Sequence, residues 1–384
     1  MRSDMAGSTP IRVLQVVPSL SCAAGVANFV YNMEYYHDEK RVHYDFLHHA
    51  ISDGRYFHSK RYDDELEAHG SAIYTVNYAG DGLLRFTREV HALFEEIGAS
   101  YDVVHCHMPN SAFTVLREAR NHGVEHRILH SHLNNSSDVF LHRLRNMPLN
   151  AWGKRYATDN IACSQEAGRF LFGMKSFTVI NNGIPIDKYL YSDADRRVLR
   201  AQLGIAPEEI VIGSVGRFVK QKNYGFAIHV FAEFHHSHPQ SKLLILGDGE
   251  ERTALEALSI EKGLSDSVIF PGVRNDINRF YSVMDVFFMP SLYEGLPVSA
   301  VEAQAAGLPC VYSESVPRET DITNNGIFIP LTSPVSEWSK GLDDSIMRGR
   351  SDKNNVALLE ACGYSAEANA ELLMQHYEAM IRQV

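Results

Sequence analysis

Short apolar runs alternate with segments whose apolar residues recur every three to four positions. Ile11–Pro18 is an apolar run closed by a turn residue, the pattern of a buried parallel strand. The spacing predicts further strands at Tyr44–Leu47, Ala72–Val76, Val103–Cys106, Arg127–His130 and Asn160–Cys163. Helical periodicity lies between them at Gly25–Tyr36, Arg61–His69, Leu84–Gly98 and Ala112–His122. Val179–Pro185 then interrupts the alternation with Asn-Asn-Gly and Pro, a turn-forming stretch suited to an interdomain hinge near Gly183. The alternation restarts with strands at Ile210–Val215, Lys242–Leu246, Val268–Phe270, Val286–Met289 and Pro309–Tyr312. Helices are expected at Gly225–His236, Glu250–Gly263, Ile277–Val283 and Pro297–Ala306, and beyond Ser333 the pattern is mostly helical.

Strand–helix alternation on this scale implies doubly wound parallel sheets with helices on both faces. A chain of 384 residues is long for one core and divides naturally into two. The expected organisation is a disordered N-terminus at 1–10, a first domain at 11–183, a second at 184–365, and a C-terminal helix at 366–384. In such sheets ligands bind beyond the carboxyl ends of the strands.

Composition narrows the function. A formal net charge of −11 argues against a nucleic-acid partner bound over a broad surface, and leaves room for a small anion in a local basic pocket. The five cysteines are scattered and form no C-x-x-C pair, as expected of reduced, buried thiols in a cytoplasmic protein. No apolar run reaches the roughly 20 residues needed to span a bilayer.

Three strand-to-helix junctions in the second half carry candidate chemistry. Gly213-Ser214-Val215-Gly216-Arg217 ends a strand, and Lys220, Lys222 and Asn223 precede the next helix. Arg217 can fork two phosphate oxygens, Lys222 supplies a point charge, and a helix N-terminus adds to both. An ordinary solvated loop is the competing reading. At Gly247-Asp248-Gly249-Glu250 the third glycine of a dinucleotide fingerprint is missing, so the glycines read as turn residues, with Arg252 in the third glycine's place. The third junction runs from Val286–Met289 into Pro290-Ser291-Leu292-Tyr293-Glu294-Gly295-Leu296-Pro297. Pro297 suits a helix start, and the amides of Leu296–Ser299 would face an anion. Glu294 in the loop and Glu302 in the helix can point into one cavity and meet hydroxyl groups. The neighbours of Glu302 are largely apolar, so its carboxylate needs a partner.

The run Gly216-Arg217 … Gln221-Lys222-Asn223, then Leu246-Gly247-Asp248-Gly249, Phe270-Pro271-Gly272 and Glu294-Gly295-Leu296-Pro297 … Glu302-Ala303, resembles the GT4 family of GT-B glycosyltransferases. It is most similar to exopolysaccharide and capsule members, specifically from about Ile210 to Val316. The resemblance implies a GT-B fold, α/β with two Rossmann-like domains facing each other across a cleft, and a C-terminal helix at 366–384 that packs back on the first domain. It implies retaining transfer of a sugar from a nucleotide-sugar, UDP-linked above all, to a glycan or lipid-linked glycan. Neither a metal nor a cofactor is implied in the site. Arg217 and Lys222 would hold the donor diphosphate, Glu302 the ribose hydroxyls and Glu294 the transferred sugar. Val273 and Arg274 would frame the base, with Gly216, Gly295, Leu296, Pro297 and Val298 completing the donor site. His130 falls where the family places a histidine beside the donor sugar. Where many relatives carry a double glycine after the first strand, this chain has Ala23-Ala24-Gly25, so Gly25 alone matches. A sugar-nucleotide epimerase of the same architecture is the first rival. A non-catalytic partner subunit that keeps the pocket is the second.

Other constellations carry less. His105-x-His107 shares a strand face, yet no third metal ligand stands near it in sequence. His235–His238 at a helix end suits the helix dipole as cations. Asp193-Ala194-Asp195 matches a metal-binding D-x-D but reads as a helix N-cap. Ser164 has no His and Asp partners that would make it a nucleophile. Leu141–Arg155 is basic and partly amphipathic in an acidic chain, which makes it a candidate for peripheral contact with anionic lipid at the inner face of the cell membrane.

Overall fold

The computed structural model describes residues 9–20, 25–52, 55–56, 61–132, 149–351 and 355–382. Residues 1–8, Cys22, Ala23, Ala24 and the 141–148 part of the basic segment lie outside them. The chain forms two units, Met1–Gly183 with Ala366–Val384, and Ile184–Ser365.

The first unit holds an eight-stranded sheet. Its strands are β1 (Ile11–Val17), β2 (Val42–Ser52), β3 (Arg55–Tyr56), β4 (Ile73–Asn77), β5 (Val103–Cys106), β6 (His126–Ser131), β7 (Asp159–Ala162) and β8 (Thr178–Val179). The order is β3-β2-β1-β5-β6-β7-β8, with β4 also on β2. Every pairing is parallel except β2 with β3. Buried Val13, Val17, Val103 and Ile128 form one face of the core, and Leu14, Val16, Val104 and Leu129 the other. That alternation is why the strands read as continuous apolar runs.

The C-terminal helix Ala366–Arg382 belongs to the first unit and packs on the Gly25–Tyr35 helix. It buries Leu373, Met374, Tyr377 and Met380 there. At about 1.5–3 kcal/mol for each large side chain, that burial is comparable with the whole net stability of a domain. Arg41 clasps the helix from outside through Glu371 (2.6 Å) and Glu378 (2.7 Å).

The second unit holds six parallel strands: β9 (Ile210–Val215), β10 (Ser241–Leu246), β11 (Val268–Gly272), β12 (Val286–Met289), β13 (Cys310–Ser313) and β14 (Gly326–Ile329). Their order is β11-β10-β9-β12-β13-β14, which reverses direction between β9 and β12. The crevice beyond that reversal is the ligand position of a doubly wound sheet. At the opposite end of the sheet Asp285 is pinned by Arg196 (2.6 Å) and Arg200 (2.8 Å), which fixes where β12 begins.

Both sheets are the doubly wound architecture read from the alternation. β8, β14 and the Gln165–Phe172 helix are additions to it. β8 is only two residues long, too short for a period to register, and β14 starts directly after Asn324-Asn325. Ser164 caps that helix by accepting from the Ala167 amide (3.1 Å), which accounts for it without chemistry. The Asp193–Gln202 helix is capped by Ser192, whose Oγ accepts from the Asp195 amide (3.2 Å). This corrects the expectation that Asp193 or Asp195 is the cap. Asp195 instead pairs with Arg279 at 2.6 Å. Cys106, Cys163 and Cys310 are buried, but Cys362 is exposed, contrary to the expectation of uniformly buried thiols.

Candidate functional site

The ends of β9, β10 and β12 are tied together before any ligand is considered. The Gly216 amide donates to Leu246 O (3.0 Å) and the Phe218 amide to Asp248 O (2.9 Å), joining the first two junctions. Gly247 has φ +136°, and a Cβ there would lie 1.9 Å from Gly216 O. Gly247→Ala should therefore push the Gly216-Arg217 turn aside. A stability loss of about 1–3 kcal/mol in urea denaturation is the expected reading. The Asp248 side chain accepts from the Gly249 amide at 2.7 Å and is exposed.

Between β9 and β12 the contacts are denser. Ser214 Oγ donates to Phe288 O. The Leu292 amide donates to Gln221 O (2.8 Å), and Asn223 Nδ2 donates to Pro290 O (3.1 Å). Gln221 Nε2 donates to Tyr293 O (3.0 Å) and approaches Glu294 (3.3 Å). Lys222 Nζ lies 2.7 Å from Glu294 Oε1, with side chains 16% and 6% exposed. The first and third junctions are thus one surface, and the cation expected on phosphate is paired with the carboxylate expected on sugar. Asn223 makes this possible by adopting the left-handed conformation (φ 57°) just before the Tyr224–Ser237 helix.

Arg217 differs from Lys222. It is exposed at the end of β9 and its guanidinium has no hydrogen bond or ion pair among the described residues. Gly295 is exposed, Pro297 is buried, and Leu296 and Val298 pack on the adjoining core. The Val298–Ala305 helix begins without a side-chain cap, with the Ala300 amide donating to Pro297 O (3.0 Å).

Glu302 is held apart from the Lys222 pair. Its carboxylate accepts from the Tyr189 hydroxyl (2.9 Å) on one oxygen and from the Tyr281 hydroxyl on the other. Burial pushes its pKa up, and the two tyrosines oppose that shift. These are the partners that an apolar helix demanded. Neither tyrosine was singled out by sequence, because a lone Tyr in an amphipathic segment looks like core. Val273 is 60% exposed, and Arg274 is tied to Asp276 (2.9 Å).

In the first unit, Gly25 starts a helix, and a Cβ there would meet nothing within 4 Å among the described residues. His130 is the penultimate residue of β6, fully buried, among three further histidines. His105 and His107 stack at 4.2 Å, and His130 and His132 at 4.0 Å. The parallel register of β5 with β6 sets Cys106 against Leu129 and so brings the two His-x-His pairs side by side. Sequence spacing alone gave His105 and His107 no third neighbour. The sheet supplies one, and His105, His107 and His130 present ring nitrogens within 4.8 Å of one another. His105 and His107, however, already use both nitrogens in hydrogen bonds to protein partners. Burial holds His105, His107 and His130 well below the usual histidine range, and His132 is pushed down to about 4. All four rings are therefore neutral at pH 7. His235 is also shifted down by burial, against its expected cationic role at a helix end.

A crevice at the strand reversal, an exposed arginine, a lysine–glutamate pair and an uncapped helix start define a nucleotide-type site on a Rossmann-like sheet. The family of glycosyl transferases group 1 matches residues 195–364, which span these junctions. Over its whole length the chain is similar to the putative glycosyltransferase EpsF of Bacillus subtilis (strain 168), with 30% identity over 380 residues, 96% of this chain and 97% of that one. The chain belongs to this glycosyltransferase family and is a transferase. A shorter match, 34% identical over 140 residues, covers 35% of this chain and 36% of the UDP-Gal:alpha-D-GlcNAc-diphosphoundecaprenol alpha-1,3-galactosyltransferase of Escherichia coli. Among solved structures, Anabaena Alr3699/HepE in complex with UDP-glucose superimposes with a TM-score of 0.72 at 20% identity, covering 97% of this chain and all of that one. Sucrose-phosphate synthase from Thermosynechococcus elongatus does so with 0.76 at 19% identity, covering 97% and 100%. These likenesses give the fold as GT-B.

Proposed function

We propose that the chain is a retaining glycosyltransferase that takes its sugar from a UDP-sugar and delivers it to a glycan or lipid-linked glycan of a surface polysaccharide. The observation that carries this reading is the Lys222–Glu294 pair bridging the ends of β9 and β12, with the exposed Arg217, which has no side-chain partner among the described residues, at the end of β9. UDP-glucose in the Anabaena structure and the UDP-galactose and diphosphoundecaprenol substrates in the name of the Escherichia coli relative support the donor and acceptor classes.

As the bond to the sugar breaks, negative charge grows on the leaving diphosphate. Arg217, Lys222 and the amides at the start of the Val298–Ala305 helix stabilise it. Glu302, oriented by Tyr189 and Tyr281, accepts from the ribose hydroxyls, and Glu294 from the sugar. Val273 and Arg274 frame the base. The acceptor hydroxyl attacks on the face that the leaving group departs from and passes its proton to the leaving phosphate oxygen. No side chain then has to be a general base, and neither a metal nor a cofactor takes part. A panel of nucleotides in thermal denaturation tests the donor class. UDP and UDP-sugars should raise the melting temperature, and stabilisation by NAD alone would overturn the reading.

Peripheral membrane contact through Leu141–Arg155 belongs to the same proposal. In the described part of that segment Trp152 is 47% exposed. Lys154 Nζ reaches Leu171 O (2.7 Å) on the Gln165–Phe172 helix, whose Phe170 is 46% exposed. Apolar groups beside cations suit a lipid surface. Co-sedimentation with vesicles should rise with anionic lipid content, and indifference to that lipid would count against the contact.

A further inference from the structure

Four rings at the carboxyl ends of β5 and β6 form a two-by-two block. His105 stacks on His107 at 4.2 Å, and His130 on His132 at 4.0 Å. Across the stacks, His105 Nε2 lies 3.1 Å from His130 Nδ1, and His107 Nδ1 lies 2.8 Å from His132 Nε2. His132 stands just past β6 and is half-buried, so the block reaches the surface at that ring.

The outer edges of the block meet acceptors. His107 Nε2 faces Gln15 Oε1 (2.7 Å), and His132 Nδ1 faces Asn182 Oδ1 (3.2 Å). An amide oxygen only accepts, and a neutral imidazole has one N–H and one lone pair. Each of these two rings therefore spends its proton on the outer oxygen. His107 Nδ1 and His132 Nε2 are then lone pairs facing each other at 2.8 Å, a repulsive contact unless something positive joins them. His105 has the same layout, with Nδ1 on the Tyr377 hydroxyl (2.7 Å) and Nε2 turned to His130. His130 Nε2 is enclosed and has no partner among the described residues. Buried polar groups of a native fold are almost always satisfied, and exceptions mark places completed by something else.

A metal ion would complete this one. Metal-bound histidines give their second ring nitrogen to an outer group, and His105, His107 and His132 each have an oxygen there. His105, His107 and His130 present ring nitrogens within 4.8 Å of one another. Nitrogens on one tetrahedral ion stand roughly 3.3 Å apart, so a small closing movement gathers them. An all-imidazole set suits zinc, copper or nickel rather than magnesium or calcium. We propose that His105, His107, His130 and His132 bind one divalent transition-metal ion, with Gln15, Asn182 and Tyr377 as the outer groups that orient the rings. The ion clamps the ends of β5 and β6 to the C-terminal helix that carries Tyr377, and it takes no part in the proposed transfer step. His130 becomes a ligand in place of the sugar contact that the resemblance implies.

Zinc is the probe, and the readout is binding rather than turnover. Full-length protein stripped with a chelator and titrated in a calorimeter should take up one equivalent per chain and melt at a higher temperature. X-ray absorption on the zinc-loaded wild type should show imidazole nitrogens at about 2.0–2.1 Å and no sulfur. Gln15→Met keeps the volume of a buried strand residue and removes the outer oxygen, so zinc should bind about 10–100-fold more weakly. His107→Asn should abolish the stoichiometric site, whereas His238→Asn, at a helix end in the second unit, should leave it whole. Failure of the wild type to retain zinc would mean that one of the two amides is turned and hydrogen bonds alone settle the block. That result overturns the proposal, as does a sulfur shell or an unchanged affinity in Gln15→Met.

Discussion

Replacing Arg217 by alanine should lower turnover by about 10²–10³ while leaving stability within about 0.5 kcal/mol of wild type. The first figure is what the loss of one preorganised charged donor costs when charge develops on the leaving group. The second follows from position. Arg217 stands exposed at the carboxyl end of β9 with no side-chain partner among the described residues, so nothing in the fold depends on its guanidinium. Steady-state kinetics and a denaturation curve on the same preparation separate the two. Near-wild-type turnover would remove Arg217 from the donor site.

Lys222→Met should behave in the opposite way and damage both. The Glu294 side chain is 6% exposed, and Lys222 at 2.7 Å is its cation. Removing the lysine leaves a buried carboxylate uncompensated, which costs about 3–5 kcal/mol. It also removes a diphosphate contact, so donor-dependent turnover should fall at least as far as in Arg217→Ala. The double variant Lys222→Met, Glu294→Gln should recover most of the stability, because no buried charge remains, and none of the activity. Denaturant midpoints and turnover for the two variants check this. A single variant as stable as wild type would mean that water reaches Glu294 more freely than its burial indicates.

The sheets were legible because parallel strands buried on both faces write long apolar runs, as Ile11–Val17 and Ile210–Val215 do. Three junctions of the second unit were legible for a related reason. A ligand at a strand reversal needs small residues, cations and a helix start in fixed order, and Gly216 to Lys222 and Glu294 to Glu302 carry that order locally. What could not be read was long-range pairing. That Lys222 holds Glu294 depends on β9 and β12 being neighbours, 71 positions apart from Val215 to Val286. That Tyr189 and Tyr281 hold Glu302 depends on a segment before the sheet and a helix before β12 converging on one carboxylate. The histidine array is the clearest case. Each His-x-His is an unremarkable strand end by itself. Only the register of β5 beside β6, with a C-terminal helix laid across them, turns four histidines and Tyr377 into one network.

Retention with a UDP-sugar donor is the central claim, and the stereochemistry of the first product formed tests it most directly. Proton NMR of a reaction started with an α-linked UDP-hexose, with an acceptor or with water in its place, resolves the anomeric proton before mutarotation. We expect UDP release accompanied by an α-configured product. A β-configured product, or no UDP formed from any UDP-sugar, would contradict it.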